Sequence, residues 1–250
     1  MLPVFSVEDR DRVRDRVLEL ASSDTRVVAG AVVGSLALGE GDEWSDLDLT
    51  FAVADGVAVG EVLADWSRRI VAELDAVHLF DLPGGAAIYR VFLLPRCLQL
   101  DLSFSPASEF GAGGPRFRLL FGHAVETSYA SPPPAHELFG YAVHHARAAR
   151  VCIERGRYWQ AEYWIGALRD YALSLACHRR ELPARFGRGF DDLPGEVLES
   201  FGDARVRSLE RAELGRALSA AIAGLLRESA EVEDVAERVE PQLRELAAIP

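Results

Sequence analysis

Three aspartates lie within apolar stretches of the chain, where charged side chains are uncommon. Asp46 and Asp48 alternate with leucines at the start of one apolar run, and Asp101 lies inside another over residues 98–104. Because side chains alternate between the two faces of a strand, Asp46 and Asp48 point the same way while the leucines point into the core. Converging carboxylates repel one another without a cation, and magnesium prefers oxygen ligands. The pattern therefore predicts that Asp46, Asp48 and Asp101 bind Mg²⁺.

A Gly-Ser pair, Gly34 and Ser35, follows an earlier apolar run over residues 26–33. Glycine lets the backbone approach a phosphate closely, and exposed N–H groups with a serine hydroxyl can bind phosphate oxygens. Nucleotidyl transfer needs such a phosphate site together with a divalent metal, which neutralises the triphosphate and polarises the attacked phosphorus. Gly-Ser pairs and surface Asp-x-Asp sequences are each common. The two motifs together, in this order and between apolar strands, indicate a site suited to nucleotidyl transfer.

The first half of the chain has the alternating helix and strand patterns of an α+β domain. Ser6 is a suitable N-cap for a first helix. The sequence predicts helices over 7–21 and 57–74, strands over 26–33, 46–54 and 77–80, a hairpin of strands over 87–94 and 97–104, and an apolar connector over 117–125.

The composition changes at residues 131–134, a Ser-Pro-Pro-Pro sequence, which we interpret as a domain boundary. Beyond it the apolar periodicity is helical throughout, and the sequence predicts helices over 135–155, 157–180, 193–201, 211–229 and 232–247. The expected fold class is α+β, with domains over residues 1–130 and 131–250, the second a helical bundle.

The segment over residues 28–104 resembles the signature of the DNA polymerase beta-like nucleotidyltransferase superfamily, a Gly-Ser followed about a dozen residues later by Asp-x-Asp. With its helical second half, the whole chain resembles the antibiotic nucleotidyltransferase branch, of the aminoglycoside and lincosamide type. The resemblance implies a catalytic domain with a mixed sheet flanked by helices, and a helical domain that binds the substrate. It implies transfer of a nucleoside monophosphate, usually AMP from ATP, to a hydroxyl of a small molecule. By this resemblance Ser35 contacts the triphosphate, and Asp46, Asp48 and Asp101 bind the metal.

Two carboxylates are candidates for the general base that takes the hydroxyl proton. Asp101 can combine this role with metal binding, as the third carboxylate often does in the superfamily. The alternative is Glu162, which lies in the aromatic segment over residues 158–164. That segment resembles a helix lining the substrate cleft of related antibiotic-modifying enzymes, although the same pattern also fits aromatic core residues beside a solvated glutamate.

The chain contains no lysine, so a phosphate-binding cation other than histidine must be an arginine. Arg90 lies on the strand expected to pair with the strand of Asp101, and it is our candidate for a nucleotide-phosphate contact.

The net charge of −12 disfavours polyanionic partners, so we expect no nucleic acid to bind and no polymerase activity. The same charge attracts a cationic acceptor such as an aminoglycoside, although an acidic surface also serves solubility. No apolar stretch is long enough to cross a membrane and the N-terminal residues lack a signal-peptide pattern, so we expect a cytoplasmic protein. The three cysteines are far apart in sequence and indicate reduced thiols.

Two other functions fit the same motifs. One is a protein-adenylylating enzyme of the toxin–antitoxin type, although such proteins are usually smaller and lack so long a helical domain. The other is a noncatalytic nucleotide-binding regulator, which has no need of all three aspartates. The sequence leaves open the acceptor, the nucleotide preference, the oligomeric state and the choice between a resistance and a biosynthetic role.

Overall fold

The structure is a computed structural model that describes residues 5–128 and 131–248. Within residues 5–128, six strands and two α-helices form the first half of the protein. The chain divides into two compact units, Met1–Ser131 and Pro132–Pro250. The elements of the first unit are α1 (Val7–Ser23), β1 (Val27–Val33), β2 (Leu47–Val53), α2 (Val59–Leu74), β3 (Val77–Gly84), β4 (Ala87–Leu93), β5 (Gln99–Pro106) and β6 (Phe117–Phe121).

The six strands form one mixed sheet in the order β3-β4-β5-β2-β1-β6. β2 and β5 are parallel, and every other neighbouring pair is antiparallel. The connection from β2 to β5 contains α2 and the β3–β4 hairpin, which is long enough to let two parallel strands lie side by side. This parallel pair is the part of the sheet that carries the aspartates.

One face of the sheet is covered by α1 and α2. The alternating residues of β2, including Leu47, Leu49 and Phe51, are almost fully buried against these helices. Trp66 of α2 packs edge-on against Phe104 of β5 with ring centroids 5.0 Å apart. Because strand side chains alternate, the intervening residues of β2 and β5 are directed to the opposite face.

The opposite face is covered on the β1 side by Phe110 and Phe117, which pack on small residues of β1 and β2. Phe117 begins β6, which pairs with β1 from Val33 to Gly30. The prediction of a connector over residues 117–125 was therefore wrong. A strand of five residues is too short to show a clear periodicity of apolar residues. It forms because it pairs with β1, and this long-range pairing cannot be recognised in the sequence.

The second unit is helical, which confirms the predicted α+β class. Its α-helices are α3 (Ala135–Glu154), α4 (Tyr158–His178), α5 (Gly195–Ser200), α6 (Arg211–Arg227) and α7 (Glu233–Ala247). Small buried residues such as Ala142, Ala146 and Ala161 allow α3 and α4 to approach closely. Within residues 5–128 and 131–248, no helix has the length and apolar character needed to cross a membrane.

Candidate active site

The structure brings Asp46, Asp48 and Asp101 together. Asp48 and Asp101 are direct neighbours in the parallel register of β2 and β5, so both side chains leave the same face of the sheet. Asp46 lies just before the first residue of β2 and points the same way as Asp48. One carboxylate oxygen from each residue lies within 4.8 Å of the other two, and all three residues are half-buried. An octahedral Mg²⁺ separates opposite ligands by about 4 Å, so small side-chain adjustments suffice to fit this ion.

The carboxyl group of Asp101 lies in an environment that disfavours its charged form. Burial raises the pKa of its carboxyl group, and the negative charge of Asp46 acts in the same direction, while hydrogen bonds with Gln99 and Asp48 oppose the shift. The Gln99 amide nitrogen donates to both carboxylate oxygens, at 3.0 and 3.2 Å. Gln99 was not predicted as a site residue. Its position two residues before Asp101, on the same strand face, is the signal that could have identified it.

Gly34 lies directly against the carboxylate of Asp48. Its backbone has φ 72° and ψ −153°, a combination that residues with a Cβ rarely adopt. A Cβ atom placed on Gly34 would lie 2.3 Å from Asp48 Oδ2. Glycine at this position therefore permits the end of β1 and the Asp48 carboxylate to occupy neighbouring space.

The phosphate-binding role of Gly34 stays a prediction, although the Gly34 amide already has a hydrogen-bond acceptor within the protein. The Gly34 N–H donates to the main-chain oxygen of Arg116, just before β6, at 3.2 Å. Ser35 begins a single 3-10 turn over residues 35–37, and its hydroxyl makes no hydrogen bond with any residue that the structure describes. A phosphate at this turn would therefore contact Ser35 and the residues after it, beside the backbone of Gly34.

Two arginines near this turn escaped the sequence analysis. The Arg118 guanidinium donates to the main-chain oxygen of Leu36 at 3.3 Å, and Arg116 forms an exposed ion pair with Glu40 at 3.2 Å. Arg118 belongs to the segment that was predicted as a connector, and Arg116 directly precedes that segment. Only the β1–β6 pairing brings them to the Gly34–Ser35 turn.

Arg90 lies on the opposite face of the sheet from Asp101. In the β4–β5 register Asp101 pairs with Val91, whereas Arg90 pairs with Leu102, which is buried under the helices. The Arg90 guanidinium donates to both oxygens of Asp81, at 2.7 and 2.6 Å, and to the Ser67 hydroxyl at 2.7 Å. The structure therefore places Arg90 in an ion pair away from the three aspartates, and we leave it out of the proposed site.

Glu162 lies on α4 in the helical unit, where it is half-buried. Its neighbours Trp159 and Tyr163 are 78% and 63% exposed, so they are surface residues and do not belong to a core. Trp164 packs on the imidazole of His145 instead, with ring centroids 4.9 Å apart. The role of Glu162 as general base stays a prediction.

Comparison with known proteins adds a distant likeness. No family model matches the chain, and no curated protein matches it. Ten solved chains match, one of them the crystal structure of an aminoglycoside 6-adenyltransferase from Bacillus subtilis, with 14% sequence identity and a TM-score of 0.41. The match covers 96% of this chain and 99% of that one. A likeness this distant assigns neither a family nor an activity, so the function is argued from the site alone.

Proposed function

We propose that this protein is a metal-dependent nucleotidyltransferase that moves a nucleoside monophosphate, AMP from ATP, to a hydroxyl group of a small molecule. The observation that carries the proposal is the cluster of Asp46, Asp48 and Asp101 beside the Gly34–Ser35 turn. Three half-buried carboxylates at this spacing form an oxygen-rich site for Mg²⁺, and the turn next to it has a serine hydroxyl available for a phosphate.

The proposed reaction exchanges one bond at the α-phosphorus of the nucleotide for another. The acceptor hydroxyl oxygen forms a bond to the α-phosphorus, the bond from that phosphorus to the bridging oxygen of the β-phosphate breaks, and pyrophosphate leaves. The Mg²⁺ that these carboxylates would hold neutralises phosphate charge and activates the attacked phosphorus. Asp46 and Asp48 would hold the ion beside the Ser35 turn, where a phosphate can bind.

The hydroxyl proton must pass to a base, and Asp101 has suitable chemistry. Burial and the charge of Asp46 raise the pKa of Asp101 in the metal-free protein, and a bound cation would oppose that shift. Its candidacy as the base therefore rests on its position beside Asp46 and Asp48. Glu162 of the helical unit is the alternative base.

We assign acceptor binding to the helical unit, Pro132–Pro250, and we expect the net charge of −12 to favour cationic acceptors, including aminoglycoside-like compounds.

The proposal is tested by measuring pyrophosphate release from each nucleoside triphosphate, with Mg²⁺ and a panel of acceptors. The panel contains aminoglycosides, lincosamides and uncharged polyols. We expect release with ATP and at least one small acceptor, and loss of release with EDTA. Asp48→Asn should abolish turnover, whereas Glu43→Gln, which alters an exposed carboxylate of the adjacent loop, should not.

The other outcomes distinguish the remaining functions. Labelling of a protein by radioactive ATP, without turnover on any small molecule, would replace the proposal with protein adenylylation. Nucleotide binding without pyrophosphate release on any acceptor would indicate a regulator. Full activity of Asp48→Asn would refute the metal assignment.

A further inference from the structure

Arg10 is a buried cation without a carboxylate partner. Its side chain lies on α1 and is 4% exposed, although arginine is almost never fully buried unless it is paired. Within the described residues, 5–128 and 131–248, no ion pair involves it. Burying a guanidinium without a paired carboxylate is costly, so its side-chain hydrogen bonds must serve the structure in a way that an apolar residue could not.

The hydrogen bonds of Arg10 go to the loop that leads into the metal site. Its Nη1 donates to the main-chain oxygen of Asp42 at 2.6 Å and to that of Ser45 at 2.9 Å. The Ser45 carbonyl belongs to the peptide group that also contains the amide of Asp46. Because a peptide group is planar and rigid, a hydrogen bond to its oxygen fixes the plane from which the Cα of Asp46 extends.

The same loop is closed by its own side chains. The Ser45 hydroxyl donates to Asp42 Oδ1 at 2.9 Å, and the Asp42 amide donates to the Ser45 hydroxyl at 3.0 Å. The Trp44 amide also donates to Asp42 Oδ1 at 2.9 Å. The turn is thus a compact unit, and Arg10 ties both of its ends to α1.

We propose that Arg10 is a positioning residue of the metal site, which holds the Ser45–Asp46 peptide group so that the Asp46 carboxylate stays beside Asp48 and Asp101. This inference rests on the proposed function, because it assigns Arg10 to the site that carries out the transfer. The positioning role also explains why an arginine stands at this position. One Nη group on a planar, rigid guanidinium reaches two carbonyl oxygens, whereas the ammonium of a lysine is more strongly hydrated and sits on a flexible stem.

The test compares Arg10→Lys and Arg10→Met with Arg14→Met, which removes a surface arginine of the same helix that pairs with Asp11 and Asp15. For each variant we would measure Mn²⁺ affinity by titration, kcat and KM for nucleotide, and Tm. We expect Arg10→Lys to bind Mn²⁺ about tenfold more weakly, as is found when groups that orient metal ligands are removed. It should also lower kcat, while Arg14→Met matches the wild type in both.

A purely structural role predicts a different result. If Arg10→Lys lowers Tm but keeps wild-type Mn²⁺ affinity and kcat below its melting range, the inference is overturned. If both Arg10 variants fail to fold, hydrogen exchange on the wild-type protein decides. Mn²⁺ should slow exchange of the amides over residues 42–46, and unchanged exchange on Mn²⁺ binding would refute the coupling.

The outcome for Asp48→Asn separates this inference from the proposed function. If Asp48→Asn loses Mn²⁺ binding and Arg10→Lys retains it, the metal site stands and the role of Arg10 falls. If the wild-type protein binds no Mn²⁺ and releases no pyrophosphate, the proposed function fails, and the positioning role fails with it.

Discussion

Replacing Gly34 with alanine should damage the proposed metal site more than it damages the fold. The new Cβ would lie 2.3 Å from Asp48 Oδ2 and 3.3 Å from Asp48 Cγ, and atoms in a packed interior do not tolerate so short a contact. The Asp48 carboxylate must therefore move by about 1 Å to reach normal van der Waals separation. A misplacement of about 1 Å in a catalytic group can cost about 100-fold in rate, and this is the loss of kcat that we expect.

The substitution also has a cost in stability that must be separated from this effect. The backbone of Gly34, at φ 72° and ψ −153°, lies in a region that costs about 1–3 kcal/mol for a residue with a Cβ. Gly39 provides the matched control, because its φ is +75° but a Cβ added there would meet nothing within 4 Å. Gly39→Ala should therefore lower Tm through backbone strain alone and leave Asp48 in place.

The assay measures kcat, Mn²⁺ affinity and Tm for both alanine variants. We expect Gly34→Ala to lose turnover and Mn²⁺ affinity, and Gly39→Ala to retain both despite a lower Tm. Wild-type turnover in Gly34→Ala would refute the claim that Gly34 exists to make room for Asp48. An equal loss of turnover in Gly39→Ala would show that backbone strain, and not displacement of the carboxylate, is responsible.

Four further predictions concern the same site and its surroundings. Asp101→Asn should raise Tm at neutral pH without metal, since the raised pKa of Asp101 means that its ionised form costs folded-state stability. The gain should shrink as the pH falls through the raised folded-state pKa and vanish well below the unfolded-state pKa of about 3.9, where the carboxyl group is neutral in both states. A gain that persists there would contradict this cause. Gln99→Leu removes the two hydrogen bonds to Asp101 and should reduce kcat with little change in nucleotide KM. Gln99→Asn should not restore kcat, because the shorter side chain does not reach the Asp101 carboxylate. An effect of Gln99→Leu on KM alone would argue against this role. Arg116→Gln removes an exposed cation near the Gly34–Ser35 turn and should raise nucleotide KM several-fold with kcat almost unchanged, in a steady-state pyrophosphate assay; an unaltered KM would exclude Arg116 from phosphate binding. Glu162→Gln should lower kcat with little change in nucleotide affinity if Glu162 is the base, and a rate near that of the wild type would leave Asp101 as the base.

Much of the fold could be predicted because its signals are local. The helix periodicity predicted α1 over 7–21, and the observed helix runs from Val7 to Ser23 with Ser6 as its N-cap. The burial of Leu47 and Leu49 against the helices likewise follows from strand alternation, which sends Asp48 to the other face. Such patterns depend only on neighbours along the chain.

Strand pairing could not be predicted in the same way, and the errors concentrate there. β6 was missed because its pairing with β1 is a long-range contact. Arg90 was misplaced because its face is set by the register of the β4–β5 hairpin, and a shift of one residue moves a side chain to the other side of the sheet. Gln99 and Arg10 were missed because neither residue type forms a recognisable motif by itself.

The sequence by itself determined which residues could do the chemistry, since the Gly-Ser pair and the Asp-x-Asp pattern are properties of adjacent positions. Only the tertiary structure decided how they meet. The parallel register of β2 and β5 places Asp101 directly beside Asp48. The Gly34 amide donates to the main-chain oxygen of Arg116, just before β6. The physical reason is that side-chain direction follows from local backbone geometry, whereas strand register and loop anchoring follow from the packing of segments that are far apart in the chain.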